Sequence, residues 1–155
     1  CKKNAKAFLY NGKYIDLENN TEEEKELLVD ENDVNDNQFV YKINNKELCF
    51  EIRSDVRKFT KNDWKRVVAV FVQGEDWEFK DWPKSENVST ILQKVKGFYL
   101  KYMDMPLNNN IKKWNVKILE ISRTKRHFDI SLQNDFWNSL TEFLLLKLSS
   151  LNLKL

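Results

Sequence analysis

This chain has little of what builds special chemistry. Its 155 residues include three glycines, two prolines, two cysteines and one histidine. Two cysteines, Cys1 and Cys49, cannot make a disulfide framework and point to a reducing compartment. Together with His127 they offer neither C-x-x-C nor H-x-x-x-H spacing, so no metal site is expected. A catalytic histidine needs a nucleophile within hydrogen-bond reach. His127 stands among Lys125, Arg126 and Asp129, the setting of a surface or helix-terminal residue, and no catalytic residue is assigned. No apolar run approaches the roughly 20 residues that span a bilayer. No signal-peptide pattern is visible, and no membrane partner is expected. Scarce glycine with 32 % charged residues fits a soluble folded domain rather than a linker. The chain opens on Cys1 rather than Met, as a fragment of a longer protein would.

What is present is unevenly charged. Residues 1–63 hold 11 lysines and arginines against 14 acids, and residues 64–155 hold 15 against 10. The basic excess gathers in 112–126, with six basic residues and one acid, Glu120. That asymmetry suggests an acidic partner for the second half. Isolated lysines that only solvate the surface are the plainer explanation for Lys112, Lys113 and Lys117. The length suits a single domain, 1–155, with its own core.

The apolar run Val67–Val72 ends in Gln73-Gly74. It predicts a strand buried on both faces, with Gly74 as a sharp exit turn. Open α/β sheets place their sites at such strand exits. A phosphate loop there would read G-x-x-x-x-G-K-[ST], its glycines wrapping phosphates and its hydroxyl binding magnesium. Gly74 and Lys80 fit that frame. Phe79 stands at the second glycine and Asp81 at the hydroxyl, while Glu75, Asp76 and Glu78 set three carboxylates where a triphosphate would lie. No glycine lies three residues after an aspartate, and Asn45-Lys46 is followed by Glu47-Leu48, without the aspartate of a guanine site. No nucleotide and no cofactor is expected.

Other elements follow from spacing. Asn4 is a candidate cap for a helix over 5–10, closed by Asn11-Gly12. Thr21 with Glu22–Glu24 starts a helix to about Leu28. Residues 30–38, DENDVNDNQ, predict a mobile acidic loop. Strands over 39–43 and 47–52 flank a hairpin turn at Asn44-Asn45. Thr60 with Asp63 is a capping box. Ser85 or Asn87 caps one long helix to about Tyr102, whose stripe is Val88, Ile91, Leu92, Val95, Phe98 and Tyr102. A second core strand covers 114–122, and a final helix runs from about Leu132 to Leu148. Strand, helix, strand, helix implies parallel strands with right-handed crossovers in an α/β fold; with the N-terminal hairpin the sheet is expected to be mixed, helices on both faces.

Several strings carry a resemblance. VVAVFVQGEDWEFKDWP, then KVKGFYLKY, KKWNVKILEIS, KRHFD and Phe136-Trp137, resemble the C-terminal domain of the Cdc73 (parafibromin) family. Residues 62–149 match in order and spacing. Residues 1–60 match loosely, around NAKAFL, and form a looser N-terminal extension. The chain departs at Lys84, where an aromatic often follows the proline. The resemblance implies a Ras-like, three-layer fold with a mostly parallel sheet and no functional phosphate loop, without GTPase activity. It also implies a subunit of the Paf1 transcription elongation complex, in the nucleus. Its expected partners are the other complex subunits, chromatin, RNA polymerase II and phosphorylated repeats on elongation factors.

Arg123-Thr124-Lys125-Arg126 is the leading candidate site, just past a predicted strand. An arginine fork matches a phosphate, and a second cation favours a doubly charged group. Arg123, Lys125 and Arg126 would hold a phosphorylated peptide, with Lys112 and Lys113 adding long-range attraction. Alternatively Arg126 pairs internally with Asp129. Trp77, Phe79 and Trp82 either plug the space of a lost ligand or stand exposed as partner anchors. A nucleic-acid-binding module and a pure scaffold of the elongation complex remain the other function classes.

Overall fold

The Asn44-Asn45 pair sets the first turn. Both residues take positive φ, 48° and 64°, the pattern of the tight hairpin turn that asparagine tolerates. In a computed structural model, which describes residues 2–15, 38–83 and 87–150, this turn joins β1, Gln38–Ile43, to β2, Lys46–Glu51. The strands are antiparallel, with Ile43 opposite Lys46. Before them lies helix α1, Lys2–Asn11. Gly12 closes it at φ 69°, as expected, but Asn4, expected as its cap, falls inside it. The helix expected from Thr21, residues 30–37 of the acidic loop expected over 30–38, Lys84 and Ser85 lie outside the described residues, and Gln38 opens β1 instead.

The capping box forms. The Asp63 amide donates to Thr60 Oγ at 3.2 Å and the Thr60 amide donates to Asp63 Oδ2 at 2.8 Å. They start α2, Lys61–Arg66. Strand β3, Ala69–Val72, follows. Asn87 caps the next helix by accepting the Thr90 amide at 2.8 Å.

That helix, α3, is Val88–Lys94. The single long helix expected to reach Tyr102 is corrected: residues Lys96–Tyr102 are strand β4. Two physical reasons combine. Gly97 inside a helix costs about 1 kcal/mol relative to alanine. In the sheet it is favoured, because a Cβ there would come within 2.6 Å of Val116 and 2.7 Å of Leu92 and push those side chains aside. The aromatic run Phe98-Tyr99 also suits a strand covered on both faces.

A turn-rich crossover leads to β5, Val116–Ile121, and then α4, Asp129–Ser150. The three strands run parallel in the order β3-β4-β5, and β1-β2 form a two-stranded sheet of their own, which corrects the expectation of one mixed sheet. Alternation divides their side chains between two cores. Phe98 and Leu119 pack under Phe136, Trp137 and Leu140 of α4, with Phe8 and Leu9 of α1 and Phe39 of β1. On the other face Val72 packs with Ile91 and Leu92 of α3, Phe79 and Trp82, joined by Tyr99, Val116 and Ile118. Each fully buried apolar side chain contributes roughly 1.5–3 kcal/mol. The doubly covered strand is therefore β4. The expectation that Val67–Val72 would be buried on both faces is corrected, since β3 lies at the end of the strand order and Phe71 is 40 % exposed.

Trp137 fastens the N-terminal pieces to this body. Its indole N–H donates to the Leu9 carbonyl at 2.9 Å, and Tyr41 stacks on its ring.

Candidate functional site

Parallel strands send their carboxyl ends to one side, so the exits of β3, β4 and β5 share an end of the sheet. Each exit is held differently.

At the β3 exit, Gly74 turns at φ 92° and lies too close to Asn108 to carry a Cβ. Asn110, on the β4–β5 crossover, donates to the Gly74 carbonyl at 2.9 Å and to Asp76 at 3.1 Å. Asp76–Phe79 then form a 3-10 turn that brings Glu78 back. The Gln73 amide donates to Glu78 Oε1 at 2.6 Å. Oε2 is buried with no bond of its own. Burial pushes the Glu78 carboxyl up, while the amides of Gln73, Gly74 and Glu75 pull it the other way. Phe79 and Trp82 fill the interior, their rings 5.3 Å apart, and Trp114 meets Phe79 edge-on. Of the loop aromatics, Phe79 and Trp82 are therefore buried side chains rather than exposed anchors. Trp77 is 60 % exposed. Lys80 and Asp81 are exposed.

At the β5 exit the charge is of opposite sign. Arg123 reaches back to the β4 exit, its Nε 3.0 Å from Asp104 Oδ2, and lies over the Tyr102 ring at 3.6 Å. The hydrogen bond from Arg123 holds the Asp104 carboxyl below the usual carboxylate range. The Lys125 amide donates to Ser122 Oγ at 3.0 Å, and its side chain is exposed. Arg126 opens the 3-10 turn Arg126–Phe128 that feeds α4. Its guanidinium pairs with Asp129 and donates to the Tyr14 carbonyl. Asp129 is 2 % exposed and also accepts the Tyr14 amide at 3.1 Å. Arg126 thus makes the internal pair that the i, i+3 spacing allowed, tying the segment after α1 to the head of α4. His127 is exposed beside Phe128.

Arg123, Lys125 and Arg126 share one strand exit. Lys112 and Lys113 follow Asn110 on the crossover and so belong to the β3 side. Sequence reasoning missed Asp104, Tyr102 and Tyr14 as partners of the arginines, and Glu78 as the inward-turned carboxylate. A usable signal exists only for Asp104: parallel strands of matched length place the residues just past β4 beside those just past β5. Among the described residues no cluster of three His, Cys, Asp or Glu is placed to hold a metal ion.

The family model described as "RNA pol II accessory factor, Cdc73 family, C-terminal" matches residues 1–143. Over 97 residues the chain is 40 % identical to the protein CDC73 homolog of Arabidopsis thaliana, covering 61 % of this chain and 23 % of that protein. It is 32 % identical over 97 residues to cell division control protein 73 of Saccharomyces cerevisiae, covering 62 % and 24 %. The chain spans about a quarter of the length of these relatives. It also resembles a solved structure, the conserved domain of yeast Cdc73, with a TM-score of 0.75 at 26 % identity, over 92 % of this chain and 87 % of that one. The α/β, Ras-like fold class expected from the sequence is the fold of the chain.

Proposed function

This chain belongs to the Cdc73 family of RNA polymerase II accessory factors, to their C-terminal domain, and from that premise we propose that it is a non-catalytic docking domain of a nuclear Paf1-complex subunit. It helps recruit the complex to transcribing RNA polymerase II and chromatin by binding phosphorylated peptide repeats. The observation that carries this reading is the β5 exit, where three cations fall within four residues and Lys125 projects into solvent. A phosphate meets Lys125 and the outer edge of Arg123, whose side chain is 46 % exposed. Arg126 contributes field rather than a direct fork, since its guanidinium serves Asp129. Lys112 and Lys113 add long-range attraction.

Exposed cations bind weakly and are screened by salt, so affinity comes from several repeats engaging several copies. The absence of nucleotide chemistry is part of the reading. Glu78 takes the amide a phosphate would seek, and Phe79 fills the space.

The test is fluorescence anisotropy with matched repeat peptides, phosphorylated and not, at two salt concentrations. Phosphorylation should raise affinity, and Arg123→Glu with Lys125→Glu should remove that gain. Equal binding of both peptides with a steep salt slope would favour a nucleic-acid-type surface instead. No binding of either would leave a scaffold.

A further inference from the structure

Sheet edges invite pairing unless something blunts them, and the two edges of the β3-β4-β5 sheet are unlike. The Lys96 amide donates to the Val68 carbonyl at 3.0 Å, with Ala69 in register with Lys96 and Phe71 with Phe98. In a parallel ladder this turns the N–H and C=O of Val68, Val70 and Val72 toward β4, and those of Ala69 and Phe71 outward. The two ends of the outward edge are closed within the chain. The Val67 amide goes to the Trp64 carbonyl, and the Gln73 amide to Glu78. Between them, no described residue bonds the outward N–H or C=O of Ala69 or Phe71. Nor does β3 itself carry a guarding residue. Ala69–Val72 carries no charge and no proline, and Phe71 is partly exposed. The β5 edge, in contrast, presents exposed Lys117 and Glu120.

The geometry points to the β3 edge as a docking site for an extended peptide segment of a partner protein, added as a fourth strand beside Ala69–Phe71. The unmet groups select the occupant. Two N–H and two C=O groups, spaced two residues apart, match an extended backbone and not a helix, whose own groups are paired internally. The added strand crosses beside the Phe71 ring, so it carries apolar or aromatic residues at alternate positions. The site is independent of phosphate contact at the β5 exit. With only two rungs its affinity is low, which suits a repetitive tail.

The probe is an acetylated, amidated hexapeptide, Lys-Val-Thr-Val-Thr-Lys, titrated against the domain while NMR follows amide exchange at Ala69 and Phe71. Its control is the same peptide N-methylated at its four central amides, which cannot pair. The unmethylated peptide should slow both amides at least about tenfold, the control should not, and Phe71→Lys should abolish the effect. The methylation comparison decides the matter even if that variant folds poorly. Unchanged exchange, or equal slowing by the methylated control, would overturn the proposal. So would slowing that follows protein concentration without peptide, since the occupant would then be a second copy of the chain.

Discussion

Two strand exits on the same end of one sheet have been finished in opposite ways. The β3 exit, where the sequence raises the question of a nucleotide loop, is closed from within. Glu78 takes a backbone amide, Phe79 and Trp82 fill the interior, and Asn110 laces the turn to the crossover. The β5 exit is tied at its base, where Arg126 meets the buried Asp129, and at Arg123, which bonds Asp104, yet it leaves the Lys125 side chain outside. The difference teaches that strand-exit position alone does not make a site. What decides is whether the chain's own side chains consume the groups that a ligand would use.

The largest break in this contrast is Phe79→Ala. Emptying the aromatic interior should cost about 3 kcal/mol in chemical denaturation. It should open space without creating a nucleotide site, because Glu78 still faces the amides. Nanomolar GTP binding by that variant would refute the closed-exit account. Next comes Asp129→Ala, which leaves Arg126 and the Tyr14 amide without their acceptor. A loss of about 2–3 kcal/mol is expected. If the tie is local, hydrogen exchange should rise around Tyr14 and the first turn of α4 rather than in β4.

Glu78→Gln sharpens the comparison through pH. Burial raises the folded-state pKa of Glu78 above its ordinary value. Its ionised form therefore penalises the fold above that raised value. The penalty lifts as pH falls toward the unfolded pKa. The Gln variant should lack this acid-side gain, with its thermal midpoint flatter than wild type as pH falls toward the ordinary glutamate range. A parallel pair of profiles would mean that the carboxyl is not buried against the amides. The smallest effect is at Asp104, whose pKa is depressed by Arg123. Its stabilising contribution is present above the unfolded value and fades as pH falls through the folded one. NMR titration should find Asp104 ionising below the usual range, and Arg123→Ala should return it toward the usual range.

Much of the fold was legible in the chain. Asn44-Asn45, the Thr60/Asp63 box, Gly12 and Asn87 are local signals whose chemistry needs no tertiary partner, and each formed. The segment 95–102 was not legible as a strand. Val95, Phe98 and Tyr102 satisfy helical spacing, yet the same eight residues also satisfy a buried strand. Only the neighbours Leu92 and Val116, crowding Gly97, separate the two. The candidate site was legible in kind rather than in detail. The cluster past β5 and the Arg126–Asp129 spacing can be read from sequence. Tyr102 beneath Arg123 cannot, because helical spacing fits the segment ending at Tyr102 equally well and only the strand brings that ring to the β5 exit. Glu78 reads from sequence as one more repelling carboxylate, because its inward turn depends on the 3-10 geometry after Gly74.

The most direct measurement is the anisotropy titration of phosphorylated against unphosphorylated repeat peptide, with wild type and the Arg123→Glu, Lys125→Glu variant side by side at physiological salt. The account predicts tighter binding of the phosphorylated peptide by wild type only, with both proteins folded and neither binding nucleotide. Equal binding of the two peptides, or a phosphate preference that survives the double charge reversal, would contradict it.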